Sequence, residues 1–334
     1  MRNRTVKTQN VYLKGAFASV GSKESEGPLS LYFDAKYSDD LLGESSWEKA
    51  ESALLKNTLS GALTVSGMNS EDVDCVFSGD LLNQCMASSY GLKSFDIPVL
   101  GLYGACSTFA EGLCLSAIGV GGGFFKNCAV ATSSHFCSSQ KQYRFPLEYG
   151  EVRTPTSQWT VTGSGSAVIS SEKTRIKISA ITIGKICDLG VSDANNMGAA
   201  MAPSAMDTVL AHLQGMGTVP EDYDLVVTGD LATVGSELLY ELMREKGVDI
   251  ENVHEDCGKL IFDRKNQRVN SGGSGCGCIA SVFSGYYYKK LLKGEIKRML
   301  LIGTGALMSP SSVLLGESIS GVSHCVEFEY CNGG

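Results

Sequence analysis

The chain has 334 residues, 43% of them hydrophobic and 19% charged, a balance that excludes a disordered chain. A net charge of −8 at pH 7 excludes a whole-protein electrostatic grip on nucleic acid or anionic lipid. Glycine is abundant, 39 residues with no collagen-like period, and its clusters at 119–123 and 272–277 point to tight turns and close backbone approaches.

Residues 1–10 lack the apolar core of a signal peptide, and no stretch approaches the ~20 apolar residues of a membrane span. The twelve cysteines are therefore read as reduced and mostly buried. The first helical pattern opens with Ser45 and Glu48 as a capping box and continues through Trp47, Ala50, Leu54, Leu55 and Leu59. Then comes Asp72-Val-Asp-Cys-Val-Phe-Ser-Gly-Asp-Leu81, a strand, followed by a helix over 83–91 and a strand over 97–102. The turn Tyr103-Gly-Ala-Cys-Ser-Thr108 opens an apolar helix from Ser107, and a strand follows over 127–133.

The same order returns in the second half. A helix carrying Met206, Val209, Leu210 and Leu213 precedes Asp222-Tyr-Asp-Leu-Val-Val-Thr-Gly-Asp-Leu231, a near copy of the first strand and its Gly-Asp-Leu. Next come a helix over 236–246, the turn Gly273-Ser-Gly-Cys-Gly-Cys278 opening another apolar helix, a strand over 298–307 and a terminal strand over 325–330. Alternating elements of this kind build mostly parallel sheets with helices on both faces. The expectation is a duplicated α/β fold, with halves at 1–175 and 176–334.

A duplicated chain with a cysteine at the start of a buried helix resembles the thiolase superfamily. That resemblance implies five layers, αβαβα, in two pseudo-twofold-related halves with the site where they meet, and a homodimer is common among such proteins. Gly79-Asp-Leu-Leu-Asn-Gln84, Gly104-Ala-Cys-Ser-Thr108, Ala131-Thr-Ser-Ser-His135, Cys187-Asp-Leu-Gly190, Met197-Gly-Ala-Ala-Met-Ala-Pro203, Gly272-Gly-Ser-Gly-Cys-Gly-Cys278 and Gly303-Thr-Gly-Ala-Leu-Met-Ser-Pro310 resemble the stage V sporulation protein AD family (SpoVAD). The resemblance implies binding of dipicolinic acid (pyridine-2,6-dicarboxylate), alone or as its calcium chelate. It also implies docking on membrane-embedded SpoVA proteins, peripherally at the inner membrane of the forespore or spore, in support of dipicolinate uptake.

Cys106 stands at the nucleophile position of that superfamily, and a helix N-terminus is expected to lower a thiol pKa from its reference of ~8.5. Condensing enzymes also carry a His after the strand that here ends in Thr228-Gly-Asp230, and a His or Asn in the loop that here reads Gly272-Gly-Ser-Gly275. Neither slot holds one, so the groups that stabilise an enolate are missing and a non-catalytic binding protein is expected. The alternative is a cysteine-dependent acyltransferase using Cys106 with His135 or His324, each of which reads equally as an ordinary core or loop histidine. His212, on an amphipathic pattern, is read as structural.

A flat dianion on an acidic protein needs local positive potential. Two helix starts, at Cys106 with Ser107 and at Cys276 with Ser274, offer backbone N–H groups to its carboxylates, with Gly104, Gly273 and Gly275 allowing close approach. Arg144 is a candidate clamp beside Lys141 and Arg153. Asp80 and Asp230 either cap helices or touch calcium. His254, Cys257, Cys276 and Cys278 superficially suit zinc, but Cys-x-Cys is tight for two ligands on one ion. No metal site and no cofactor are expected.

Overall fold

A computed structural model describes residues 3–143 and 153–332. Ten strands carry the architecture: β1 (Tyr12–Val20), β2 (Cys75–Gly79), β3 (Val99–Gly101), β4 (Asn127–Ser134), β5 (Gly163–Ser170), β6 (Ile176–Thr182), β7 (Leu225–Thr228), β8 (His254–Asp256), β9 (Arg298–Leu307) and β10 (Ser320–Tyr330). Eight helices cover the sheets and frame the site: α1 (Trp47–Val65), α2 (Met86–Leu92), α3 (Thr108–Gly121), α4 (Phe136–Tyr143), α5 (Met197–Met216), α6 (Ala232–Glu245), α7 (Cys276–Val282) and α8 (Pro310–Leu314).

The strands lie in the order β8-β7-β9-β10-β6-β1-β5-β4-β2-β3. Within each half the repeated strand is central to a parallel trio, β2 between β3 and β4, and β7 between β8 and β9. The two halves meet edge to edge where β1 pairs with β6 at Tyr12↔Lys177 and Leu13↔Ile176. Helix α3 packs on β2 and β4 of one half and on β9 and β10 of the other, and α7 packs on β5 and β4. Helices α1 and α2 cover the outer face of the first half, and α5 and α6 that of the second. Five layers result, and the fold is the duplicated α/β architecture the repeat predicts.

Several local details differ from the sequence expectation. The first helix is capped by Ser46, which accepts from Lys49 N at 3.3 Å, while Ser45 receives the Lys49 ammonium at 2.9 Å. Helix α6 starts a turn earlier than its apolar pattern, and β10 begins at Ser320 rather than 325. Strands β1, β5, β6 and β8 are additions. β5 reads Gly-Ser-Gly-Ser-Ala-Val-Ile-Ser, with no apolar run to announce it, yet every residue is buried. Its hydroxyls are satisfied: Ser164 donates to Thr132 O at 3.0 Å and Ser166 to Val130 O at 2.9 Å, so neither is buried without a partner. A small residue is needed here, since a Cβ on Gly165 would lie 2.0 Å from Ala280 O of the central helix α7.

Candidate functional site

The site is built on the turn between β3 and α3. Ala105 adopts φ +49°, a left-handed conformation rare for a residue with a side chain. The start of α3 holds it there. Ser107 N and Ser107 Oγ both donate to Gly104 O, at 3.0 and 2.7 Å. Thr108 Oγ1 donates to Ala105 O at 2.6 Å and accepts from Gly104 N at 3.0 Å. Strand β9 presses against the turn from the other half, where only glycine fits: a Cβ on Gly305 would be 2.3 Å from Gly104 O. The turn delivers Cys106 to the seam between the halves, with its sulfur 3.8 Å from Ser274 Oγ.

Behind Ser274 lies Asp230, fully buried after the end of β7. Its carboxylate accepts from Thr304 Oγ1 at 2.7 Å, Ser274 Oγ at 3.0 Å and Gly275 N at 3.0 Å, and its charge acts on the Cys106 thiol. Burial raises the Asp230 pKa against the pull of these bonds. The same two facts decide the state of Cys106. Burial first, then the Asp230 charge, push its thiol well above the ordinary value. The low-pKa thiolate expected from the helix start is therefore corrected: a partial positive charge at a helix end is outweighed when Cys106 is buried and faces a carboxylate.

The second helix start is also committed internally. Gly275, at φ +104°, gives its N–H to Asp230, and Gly277 N donates to Ser134 Oγ at 3.1 Å. Cys276 donates to Ser133 O at 3.0 Å and shares a small apolar cluster with Cys106, Leu81 and Tyr143. The space beside two of the expected close-approach glycines is filled by protein. A Cβ on Gly104 would meet Glu111 Oε2 at 2.6 Å and Ser107 Oγ at 2.7 Å, and one on Gly273 would meet Ile261 Cγ2 at 2.8 Å.

The remaining candidates among the described residues bond to partners other than the thiol. Asp80 accepts from Leu82 N at 2.9 Å and from both Ser88 N and Ser88 Oγ, at 2.7 and 2.6 Å, so it secures its own helix α2. Glu51, missed in the sequence, takes the hydroxyls of Ser133 and Ser138 in the same interior; burial, then the Asp80 charge, push it up to about 8. His135 bonds Asp40 O through Nε2 at 2.7 Å, and its Nδ1 accepts from Cys137 N at 3.1 Å, which leaves neither nitrogen for catalysis. His324 accepts from Gly184 N at 3.2 Å and is held neutral by burial, its pKa lowered to about 4. His254 has both nitrogens engaged, with Thr228 and Tyr240 at 2.8 Å each. Arg144 lies outside the described residues; Arg153 donates to Gln158 O at 2.9 Å and lies over the Trp159 ring.

Two side chains at the site carried no sequence signal beyond position. Tyr103 and Tyr143 hydrogen-bond each other through their hydroxyls at 3.0 Å, and Tyr143 donates to Leu81 O at 2.9 Å. Burial raises both phenols, and each feels the Cys106 sulfur. Tyr103 precedes the glycine turn and Tyr143 ends α4, so only the fold reveals them as a pair.

The class of protein is defined by this architecture: a duplicated, thiolase-like α/β fold with Cys106 at the seam between its halves. Solved structures agree on the fold. 3-Oxoacyl-[acyl-carrier-protein] synthase III from Aquifex aeolicus superimposes with a TM-score of 0.58 at 12% identity, covering 96% of this chain and 100% of that one. Cerulenin-bound OleA from Xanthomonas campestris gives 0.61 at 15% identity, covering 99% of each. The family model of stage V sporulation protein AD (SpoVAD) matches residues 2–329, and the chain belongs to that family. It is 39% identical over 323 residues to stage V sporulation protein AD of Bacillus subtilis (strain 168), covering 97% of this chain and 95% of the relative. Among the described residues no helix is long and apolar enough to cross a membrane.

Proposed function

We propose that this sporulation protein binds dipicolinic acid at the Cys106 seam without turning it over, and serves its uptake into the developing spore together with membrane-embedded SpoVA proteins. The observation that carries the non-catalytic part is the company of the thiol. Cys106 faces Ser274 and Asp230, its pKa is raised, both ring nitrogens of His135 are bonded to backbone groups, and His324 takes a backbone N–H through Nδ1. A condensing step needs a thiolate and a group that stabilises an enolate; the raised thiol, and the lack of His or Asn in Thr228-Gly-Asp230 and Gly272-Gly-Ser-Gly275, support the binding reading.

Family membership supports the ligand, and the Tyr103–Tyr143 pair offers a flat pyridine ring aromatic neighbours beside the turn. With the start of α7 serving Asp230, and Ser107 N and Thr108 N at the start of α3 bonded to Gly104 O and Ala105 O, the positive charge of this reading comes from Arg144, next in sequence after α4, or from a calcium ion carried in with the ligand. Titration calorimetry with dipicolinate, with and without Ca²⁺, tests it: micromolar-range binding is expected, weakened at least tenfold by Tyr103→Ala. Incubation with acyl-CoA is expected to leave Cys106 unmodified by mass spectrometry. Absence of dipicolinate binding together with acylation and turnover at Cys106 would establish the acyltransferase instead.

A further inference from the structure

Two loops on the second half are zipped into one ribbon. Cys187 and Gly321 exchange both backbone hydrogen bonds, at 2.9 and 2.7 Å, and Ile319 N donates to Val191 O at 2.7 Å. The Asp188 carboxylate ties them further by accepting from Ser318 Oγ at 2.6 Å and Ser320 Oγ at 3.1 Å. This framework is well hydrogen-bonded, yet what it displays to solvent is aliphatic: Ile186, Leu189, Leu314 and Leu315 are 64%, 69%, 87% and 77% exposed, with Val313 beside them on α8. Single exposed leucines need no explanation, but five aliphatic side chains on one ribbon mark a contact surface.

The charges on the ribbon say what covers it. Residues 186–196 and 308–321 contain Asp188, Asp193 and Glu317 and no Lys, Arg or His. The nearest cation at the ribbon's start, Lys185, is paired with Asp207 at 2.8 Å. An anionic lipid surface would be repelled by this rim, and a second copy would set acid against acid. We infer that this ribbon docks a partner protein through an apolar segment flanked by lysines or arginines. The docking surface is independent of dipicolinate binding, since it uses none of the seam residues.

A photoreactive p-benzoylphenylalanine placed at position 314 in the native host during sporulation tests it, with the cross-linked peptide sequenced. The expected product joins position 314 to an apolar protein segment with basic flanks, and Glu317→Lys is expected to reduce its yield at least fivefold. In parallel, the purified protein is expected not to float with phosphatidylglycerol-containing vesicles. Cross-linking to lipid, to a second copy of this chain or to an acid-flanked segment overturns the inference, as does no product at all or vesicle binding that Leu314→Gln with Leu315→Gln abolishes. Calorimetry with dipicolinate on the Leu314→Gln, Leu315→Gln variant is expected to match the parent, which separates failure of this surface from failure of the ligand site.

Discussion

Replacing Asp230 by Asn tests whether that carboxylate holds the Cys106 thiol protonated. The side chain keeps its shape and retains an oxygen to accept from Ser274 and Gly275, but loses the charge facing the sulfur. Two unit charges on the order of 4 Å apart at an effective dielectric near 20 interact by about 4 kcal/mol. That corresponds to roughly three pKa units at 1.36 kcal/mol per unit, an upper limit because Asp230 itself has a raised pKa and is not fully ionised at every pH. Burial, the larger cause, remains in the variant, so the thiol falls toward but not below its ordinary range. Alkylation reports the change through the thiolate fraction, and lower intrinsic nucleophilicity at lower pKa takes back about half the gain on a logarithmic scale. A rise of roughly ten- to thirtyfold in the iodoacetamide rate at Cys106 near pH 8 is therefore expected, followed by peptide mass spectrometry with Cys276 as an internal reference. An unchanged or lower rate in a folded variant would refute the reasoning and show that burial alone controls the thiol.

Glu24 gives a pH prediction with a defined sign. It is fully buried, accepts from Thr162 N at 2.9 Å through one oxygen while its Oε2 has no partner, and burial pushes it up to about 8. The folded state thus holds a proton that the unfolded chain releases near 4.5. The stabilisation is complete below about pH 4.5 and lost as pH rises toward 8, at most about 5 kcal/mol and less after relaxation. Glu24→Gln is expected to raise the melting temperature by a few degrees at pH 8 and leave it nearly unchanged at pH 5; equal shifts at both would contradict this. Gly165→Ala tests the central packing: with Ala280 O 2.0 Å from the new Cβ, sheet and helix must separate, and a loss of about 2 kcal/mol or more in urea denaturation is expected.

What the sequence by itself determined was the repeated plan. The matching segments ending at Leu81 and Leu231 mark β2 and β7 because parallel strands buried on both faces must be apolar runs, and such runs are visible in any sequence. The glycine-rich turn before α3 was legible for a similar reason, since a helix start reached through a tight turn needs small residues. Strand β5 was not legible, because its serines and glycines are tolerated only by carbonyl partners on β4 and by the close passage of α7. The two matching aspartates show the same limit. Asp80 turns to Ser88 of its own helix, whereas Asp230 reaches Gly275 and the thiol of Cys106 in the other half. The shared Gly-Asp-Leu cannot distinguish them, since the difference lies in which helix the fold brings alongside. The state of Cys106 was decided in the same way. Its helix start is local and argues for a thiolate, but burial and a carboxylate supplied from the other half win, and only the tertiary structure contains either.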